Sequence, residues 1–247
     1  MKLAGNTVLV TGGATGIGLA IAVRFLRAGS KVIICGRRAD KLAEAKAHHP
    51  GLHTLVADVA TAADREALFA TVTREFPDLN VLVNNAGIQN RRKLAEGPHD
   101  WAVDQQEIAI NFEAPVHLAM LFIPYLKTQR NPAIVNVTSG LAFSPLPIAA
   151  VYSATKAALH SFTLSLRVQL VPVGIEVVEI APPAVNTDLG GVGLHTYGEP
   201  LDAFADEVMT RVDAGELEVG YGTSETRRRA SRDELDASLA HMSTIGL

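Results

Sequence analysis

The stretch "NTVLVTGGATGIGLAIAVRF", residues 6–25, joins two different hydrophobic periods through a run of small residues. Val8, Leu9 and Val10 are continuous, the pattern of a strand covered on both faces. Beyond the glycines, Ile21, Ala22 and Phe25 recur at helical spacing and start an apolar stripe. A doubly buried strand running at once into an amphipathic helix opens a βαβ unit. The reversal carries Gly12, Gly13, Gly16 and Gly18. Glycine permits positive φ and lets backbone N–H groups approach an anion at the positive end of the following helix. The turn therefore reads as a pyrophosphate cradle. A tight ligand-free reversal is the alternative, and the place after a first strand favours the cradle. The glycines at 12, 16 and 18 depart from G-x-G-x-x-G, and Ile17 and Gly18 stand where a P-loop would carry lysine and Ser/Thr.

The same alternation continues outward. Runs at 6–12, 31–36, 53–58, 80–87, 133–139 and 175–183 read as strands buried on both faces, and 17–29, 38–47, 62–76, 103–128 and 152–171 as helices. Right-handed crossovers then predict an α/β, Rossmann-like, doubly wound and mainly parallel sheet with helices on both faces. No linker or repeat divides it, so residues 1–247 are expected to form a single nucleotide-binding and catalytic domain, with 184–215 as a substrate-side loop and helix. A helix over 202–215 and a last short strand over 217–221 are expected. The arginines at 227–229 precede Asp233 and Glu234 and read as a solvated loop.

Composition narrows the function. With 48% hydrophobic and 19% charged residues and a formal charge of -4, the 247-residue chain offers no global cationic surface for nucleic acid. Its single cysteine, Cys35, lies in the apolar run "KVIICG" and reads as a small buried hydrophobe in a reducing cytoplasm. No leader is recognised and no apolar stretch is expected to span a bilayer. The histidines, His48 and His49 among them, form no ligand pattern, so no metal is expected.

Parallel sheets bind ligands beyond the carboxyl ends of their strands. The second strand ends in Gly36, Arg37 and Arg38, with no carboxylate before Asp40. A guanidinium suits a 2'-phosphate better than a ribose diol, which favours NADP(H), with NAD(H) as the alternative. Asp58 closes the third strand and could accept from an adenine amino group or cap the next helix. Asn84 in "NNAG" reads as structural. Ser139 closes the fifth strand, and Tyr152 and Lys156 share one face of the helix that follows. A nearby ammonium favours a phenolate, so this pair reads as a proton donor and acceptor, with the Ser139 hydroxyl on the same substrate oxygen. Ser153, Ala154, Ala157 and Ala158 leave room for a cofactor or a close helix contact.

Together "TGGATGIG", Asp58, "NNAG", Asn111, Ser139, "YSATK" and "PPAVNT" at 182–187 resemble the short-chain dehydrogenase/reductases in their single-domain form, over roughly 5–190. "VIICGRR", "NVLVNNAGIQ" and "VGYGTSE" resemble a bacterial oxidoreductase subgroup named after a D-alanine/lipoteichoic-acid operon protein, a name that implies no substrate. The resemblance implies catalysis by Asn111, Ser139, Tyr152 and Lys156, with Ser139 polarising a carbonyl, Tyr152 passing the proton, and Lys156 tuning Tyr152 and binding ribose. Asn111 would interrupt its helix to hold a water in a proton relay. The dinucleotide would be held by Gly12, Thr15, Gly16, Ile17 and Gly18, by Arg37, Arg38, Asp58 and Val59, by Asn85, Ala86 and Gly87, by Tyr152 and Lys156, and by Pro182, Val185 and Thr187. Pro183 departs from the family's Pro-Gly and removes a backbone donor.

The expected activity is NADP(H)-dependent interconversion of a carbonyl and an alcohol. Alternatives are an NAD-preferring alcohol dehydrogenase, a dehydratase or epimerase on the same sheet, and a non-catalytic dinucleotide-binding regulator. Segments 89–99, 140–148 and 184–215 should wall the substrate, with Leu141, Phe143, Pro145 and Leu146 making one side apolar; His195 and Tyr197 are further candidates for substrate contact. By resemblance the helices around 103–128 and 152–171 pack against their copies in a homodimer or homotetramer. The stripe Leu159, Phe162, Leu166 and Leu170 suits a core or that interface.

Overall fold

Strand β1 (Thr7–Thr11) and helix α1 (Gly16–Arg27) form the predicted unit, and every residue of β1 is buried. A computed structural model describes residues 1–242. Its remaining strands are β2 (Lys31–Gly36), β3 (Leu52–Val56), β4 (Val81–Asn84), β5 (Ala133–Val137), β6 (Glu176–Ala181) and β7 (Glu218–Gly220). Its remaining helices are α2 (Ala39–His48), α3 (Ala62–Glu75), α4 (Trp101–Ile108), α5 (Ala114–Leu126), α6 (Ala150–Leu170), α7 (Leu201–Asp213), α8 (Thr223–Arg229) and α9 (Arg232–Met242). The seven strands run in the order β3-β2-β1-β4-β5-β6-β7, every neighbouring pair parallel. The order reverses between β1 and β4, which opens a crevice at their carboxyl ends.

Successive strand side chains point to opposite faces, so the same strands feed two cores. Val8, Val10, Val32, Ile34, Val81 and Val83 pack with Ile21, Ala22 and Phe25 of α1 and Phe204 and Val208 of α7. Leu9, Ile33, Cys35, Leu82 and Ile134 pack on the other face with Leu68 of α3, Leu118 and Phe122 of α5, and Leu166 of α6. Cys35 is a core residue, its thiol pushed up to about 12 by burial and pulled back in part by the Gly12 backbone.

Four expectations change. β3 is a sheet edge, and its Val56 is exposed, so it is not covered on both faces. The helix expected over 103–128 begins at Trp101 and contains a π-helical turn, Ala109–Glu113, between α4 and α5. This 26-residue run from Trp101 to Leu126 is long and apolar enough to cross a membrane, contrary to the expectation that no stretch is; here Leu118, Ala119, Phe122 and Leu126 face the protein core instead. The arginines at 227–229 end helix α8, where Arg228 and Arg229 each lie 2.7 Å from Glu225; the three basic residues at the helix C-terminus suit its dipole.

Candidate active site

Side chains from the ends of β1, β4 and β5 and from α4 and α6 meet at the reversal of strand order. Gly12 has φ +63, and a Cβ at Gly18 would lie 2.3 Å from the Gly12 carbonyl oxygen and from the Asn85 carboxamide nitrogen, so the loop closes this tightly only with glycine. Asn85 donates to the carbonyls of Thr11 (3.0 Å) and Gly12 (3.2 Å), while the Thr11 hydroxyl accepts from the N–H groups of Asn85 and Ala86. These bonds lock "NNAG" to the Gly-rich turn. Thr15, the residue before α1, makes no side-chain cap, and no acid occupies the first turn, which leaves the helix end suited to an anion. Gly16 faces Thr187, whose side chain would lie 3.5 Å from a Cβ there; Ile17 packs at the rim of the core. These features fit a dinucleotide pyrophosphate.

At the next strand end the Arg38 guanidinium donates to the Thr15 hydroxyl at 3.2 Å, and Arg37 lies 3.9 Å from the Asp58 carboxylate. Asp58 also accepts from the Ala60 N–H, and Thr61 caps α3 by accepting from Asp64. Asp58 is thus not the helix cap. Val59 is buried, and its carbonyl accepts from Arg65. Asn84 donates to Asn136, which donates to Thr163, a buried chain that ties β4, β5 and α6 together. The structural reading of Asn84 matches this placement.

Ser139, Tyr152 and Lys156 converge and are all buried. Ser139 accepts from the Leu141 N–H at 3.1 Å and is hydrogen-bonded to the Tyr152 phenol. Lys156 donates to the Val137 carbonyl at 2.8 Å, and its ammonium lies 5.7 Å from the centre of the Tyr152 ring. Burial pushes Tyr152 up to about 12, the Ser139 hydrogen bond opposes it, and the Glu107 charge adds to it. Burial pulls Lys156 down to about 8 against the Glu107 charge. Against the expectation that Lys156 brings the phenol toward neutrality, burial outweighs the other influences on Tyr152 and favours its protonated form. Asn111 sits in the π turn, where its carboxamide accepts from the Ile88 N–H (2.9 Å) and donates to the Ile88 carbonyl (2.8 Å) and Thr155 hydroxyl (3.2 Å). The helix is interrupted there as expected. Gly87 passes close by: a Cβ on it would lie 3.3 Å from Asn111 Oδ1 and 3.6 Å from Lys156 Nζ.

A model of the family described as short chain dehydrogenase matches residues 6–194. The chain belongs to this family. It is 47% identical to the Uncharacterized oxidoreductase DltE of Bacillus subtilis (strain 168) over 99% of both chains. A Tropinone reductase homolog of Datura stramonium is 35% identical over 76% of this chain and 71% of the relative. The crystal structure of a short chain dehydrogenase from Burkholderia cenocepacia J2315 in complex with NADP superposes with TM-score 0.83 at 27% identity, covering 97% of this chain and 99% of that one. The protein is accordingly an oxidoreductase of the NAD(P)H-dependent type that acts on small carbonyl or alcohol compounds.

In this short-chain dehydrogenase, Pro182 accepts from the Gly140 N–H at 2.8 Å, so the Pro182-Pro183 variation is tied to the loop after Ser139. Val185 is buried and bridges to Glu199, closing the base of the 184–200 loop. Tyr152 forms a small buried cluster with Leu146 and Ala149, against which Leu141, Ile148, Leu189 and Met242 pack. Phe143 packs instead on His160, ring centres 4.7 Å apart, and Pro145 is exposed. His195 is buried with Nε2 3.0 Å from Arg91, which joins the 89–99 and 184–200 segments, whereas Tyr197 is 71% exposed. Thr11, Ile148, Leu189 and Met242 are not singled out by the sequence, although Thr11 opens "TGGATGIG" and Ile148 lies within the expected wall segment 140–148. Met242 lies at the end of a polar helix and carries no local signal; Leu189 lies two residues beyond Thr187 in a segment already expected to wall the substrate.

Proposed function

We propose that this short-chain dehydrogenase uses NADP(H) to interconvert an apolar carbonyl compound and its alcohol, with Tyr152 as the general acid and base. The observation that carries the proposal is the convergence of the buried Tyr152 phenol, hydrogen-bonded to Ser139, with Lys156 beside its ring and Leu141, Leu146 and Leu189 in the surrounding apolar cluster. When bound, the nicotinamide supplies or accepts the hydride. In the reducing direction the Ser139 and Tyr152 hydroxyls face the substrate oxygen, and the phenol gives its proton as negative charge develops there. A phenol held protonated is the form that direction requires. Lys156 would hold ribose, and its ammonium stabilises the phenolate that proton transfer leaves on Tyr152, while Asn111 keeps Ile88 and α6 in register. Gly12, Thr15, Gly16, Ile17 and Gly18 cradle the pyrophosphate, Arg37 and Arg38 receive the 2'-phosphate, and Asp58, Val59, Asn85, Ala86, Gly87, Pro182, Val185 and Thr187 line the remaining length. Residues 184–215 form the substrate side of a single domain, and the chain assembles as a homo-oligomer.

Reduction of a panel of apolar ketones and aldehydes, followed by NADPH oxidation, tests this. Tyr152→Phe should lose roughly a hundredfold or more in turnover while NADPH still binds, because the hydroxyl acts mainly in the transition state. A variant that keeps more than about a tenth of native turnover removes Tyr152 from the role.

A further inference from the structure

Three consecutive cations, Arg91, Arg92 and Lys93, follow Asn90 in the loop after β4. Two of them meet carboxylates, Arg92 at Asp104 (3.2 Å) and Lys93 at Glu96 (3.4 Å). Arg91 is different. Among the described residues no carboxylate lies within ion-pair distance of it, and Asp188 of the facing 184–200 segment is exposed and pairs with no cation. The partners of the half-buried Arg91 are neutral: its Nε donates to the Gln89 carboxamide oxygen at 3.4 Å and its Nη2 to His195 Nε2 at 3.0 Å. A guanidinium only donates, so His195 Nε2 accepts and the ring is uncharged. Burial and the Arg91 charge both hold His195 below its ordinary value, against the Thr187 and Leu189 backbone. Gln89 is 6% and His195 5% exposed, so the polar surface that orients the guanidinium is built into the protein.

Both segments that meet at Arg91 border the Tyr152 cluster. The Arg92 N–H donates to the Ile148 carbonyl at 2.7 Å, and Ile148 and Leu189 pack against the cluster. Gln89 backs onto Gly190, where a Cβ would lie 3.0 Å from the Gln89 carbonyl oxygen. Three residues before Arg91, Ile88 is held by Asn111, and Gly87 passes close to Lys156 Nζ. The one unpaired cation of the loop is therefore on the stretch that runs from the catalytic lysine to the apolar cluster. Two of its five N–H donors are used, and Nη1 donates to no group among the described residues. A planar guanidinium that keeps its charge and free donors matches a carboxylate in both geometry and sign.

We propose that Arg91, oriented by Gln89 and His195, is a specificity-determining residue that takes a carboxylate on the substrate, so that the preferred compounds are carbonyls whose apolar chain ends in an acid. The carbonyl half of this statement rests on the proposed function; the acid-binding half is measurable without turnover. Protein saturated with NADP+ cannot reduce a carbonyl, so titration calorimetry with levulinate and its longer straight-chain homologues, each against its methyl ester, reports binding alone. At the best-fitting length the acid should bind about tenfold or more tightly than its ester. Arg91→Met should bring the two affinities together, and Arg91→Lys, which keeps the charge and loses the fork, should retain part of the difference. The affinity of Arg91→Met for NADPH should stay native; a loss there assigns the guanidinium to a cofactor phosphate and overturns the proposal. Native protein that shows no preference for the acid at any length overturns it as well, with no variant needed. Addition of NADPH then separates the two halves. Reduction of the esters without an acid preference removes the role of Arg91 and leaves the carbonyl chemistry, whereas an acid preference in binding with no member reduced leaves Arg91 as an acid-binding residue and removes that chemistry.

Discussion

Arg37 shows how one residue's chemistry depends on a neighbour that the linear chain keeps distant. The parallel register sets Gly36 beside Val56, so Arg37 and Asp58, just beyond the two strands, come within 3.9 Å. Along the sequence the first acid after Arg37 is Asp40; only the register brings in Asp58. Both groups are about a third to a half exposed, so Asp58 moderates the guanidinium through solvent-screened attraction and does not remove it as a phosphate partner. NADPH should therefore bind more tightly than NADH, and Arg37→Ala should weaken NADPH by about tenfold or more with little effect on NADH. Asp58→Asn should widen the preference for NADPH. Fluorescence titration of both cofactors measures all three, and equal native dissociation constants would contradict the assignment. Ser139, Tyr152 and Lys156 were readable because their spacing alone places them at one strand end and on one helix face. The state of Tyr152 was not, because desolvation depends on Leu141, Leu146, Leu189 and Met242, which come from separate segments.

Elements differ in how much of their role appears in periodicity. α1 and α6 bury regular apolar stripes and were readable; α9 buries no residue fully and α8 is short and basic, so neither has a stripe to detect. The π turn inserts its extra residue without breaking the apolar run around it, and only family resemblance pointed to Asn111. The packing of α6 on β6 also creates a pH-sensitive pair. Glu179 of β6 is fully buried, accepts from Thr138 at 2.6 Å, and lies 2.9 Å from His160. The hydrogen bond and charge of Glu179 raise His160 against its burial. A raised folded value means that the pair's stabilisation is fully present below the unfolded histidine value of 6.5 and is lost as pH rises through the higher folded value. Lys156, lowered to about 8, acts oppositely, adding stability as pH rises above that value. Urea unfolding should thus show native protein losing stability just above the ordinary histidine range, relative to His160→Gln. His160→Ala should cost about 1–3 kcal/mol at lower pH by leaving Glu179 short of a partner. A pH-independent difference between native and His160→Gln would refute the coupling.

At the scale of the whole molecule, the stripe that suited either core or interface resolves into core: Leu159, Leu166 and Leu170 are buried within the chain, and Phe162 packs against the cluster that holds Leu166 and Leu170. Sequence periodicity could not separate these uses, because a helix face buried against its own sheet and one buried against a copy have the same composition. The other face of α6 carries a second series. Leu164 and Val168, with Val171 just past its end, recur at i, i+4 and i+7, with Val168 74% exposed, and Met120 of α5 is 65% exposed. Ala154, Ser161 and Ser165 on α6 are exposed and small, which allows a second helix to approach closely. Four large apolar side chains and a smooth helix surface therefore remain outside the chain's own cores, on the helices expected to meet their copies. A stable contact requires about 1,200–2,000 Å² in total, and a twofold arrangement would place Val168 in it twice, once from each copy. Val168→Glu would put a charge into both halves at once, at the expense of roughly 1.5–3 kcal/mol of apolar burial per side chain and the added desolvation of the carboxylate. The native protein should sediment as a dimer or tetramer at micromolar concentration, and Val168→Glu should shift it to a smaller species while NADPH binding, on the far side of α6, persists. A native monomer, or a variant with unchanged mass, would exclude this face as the site of assembly.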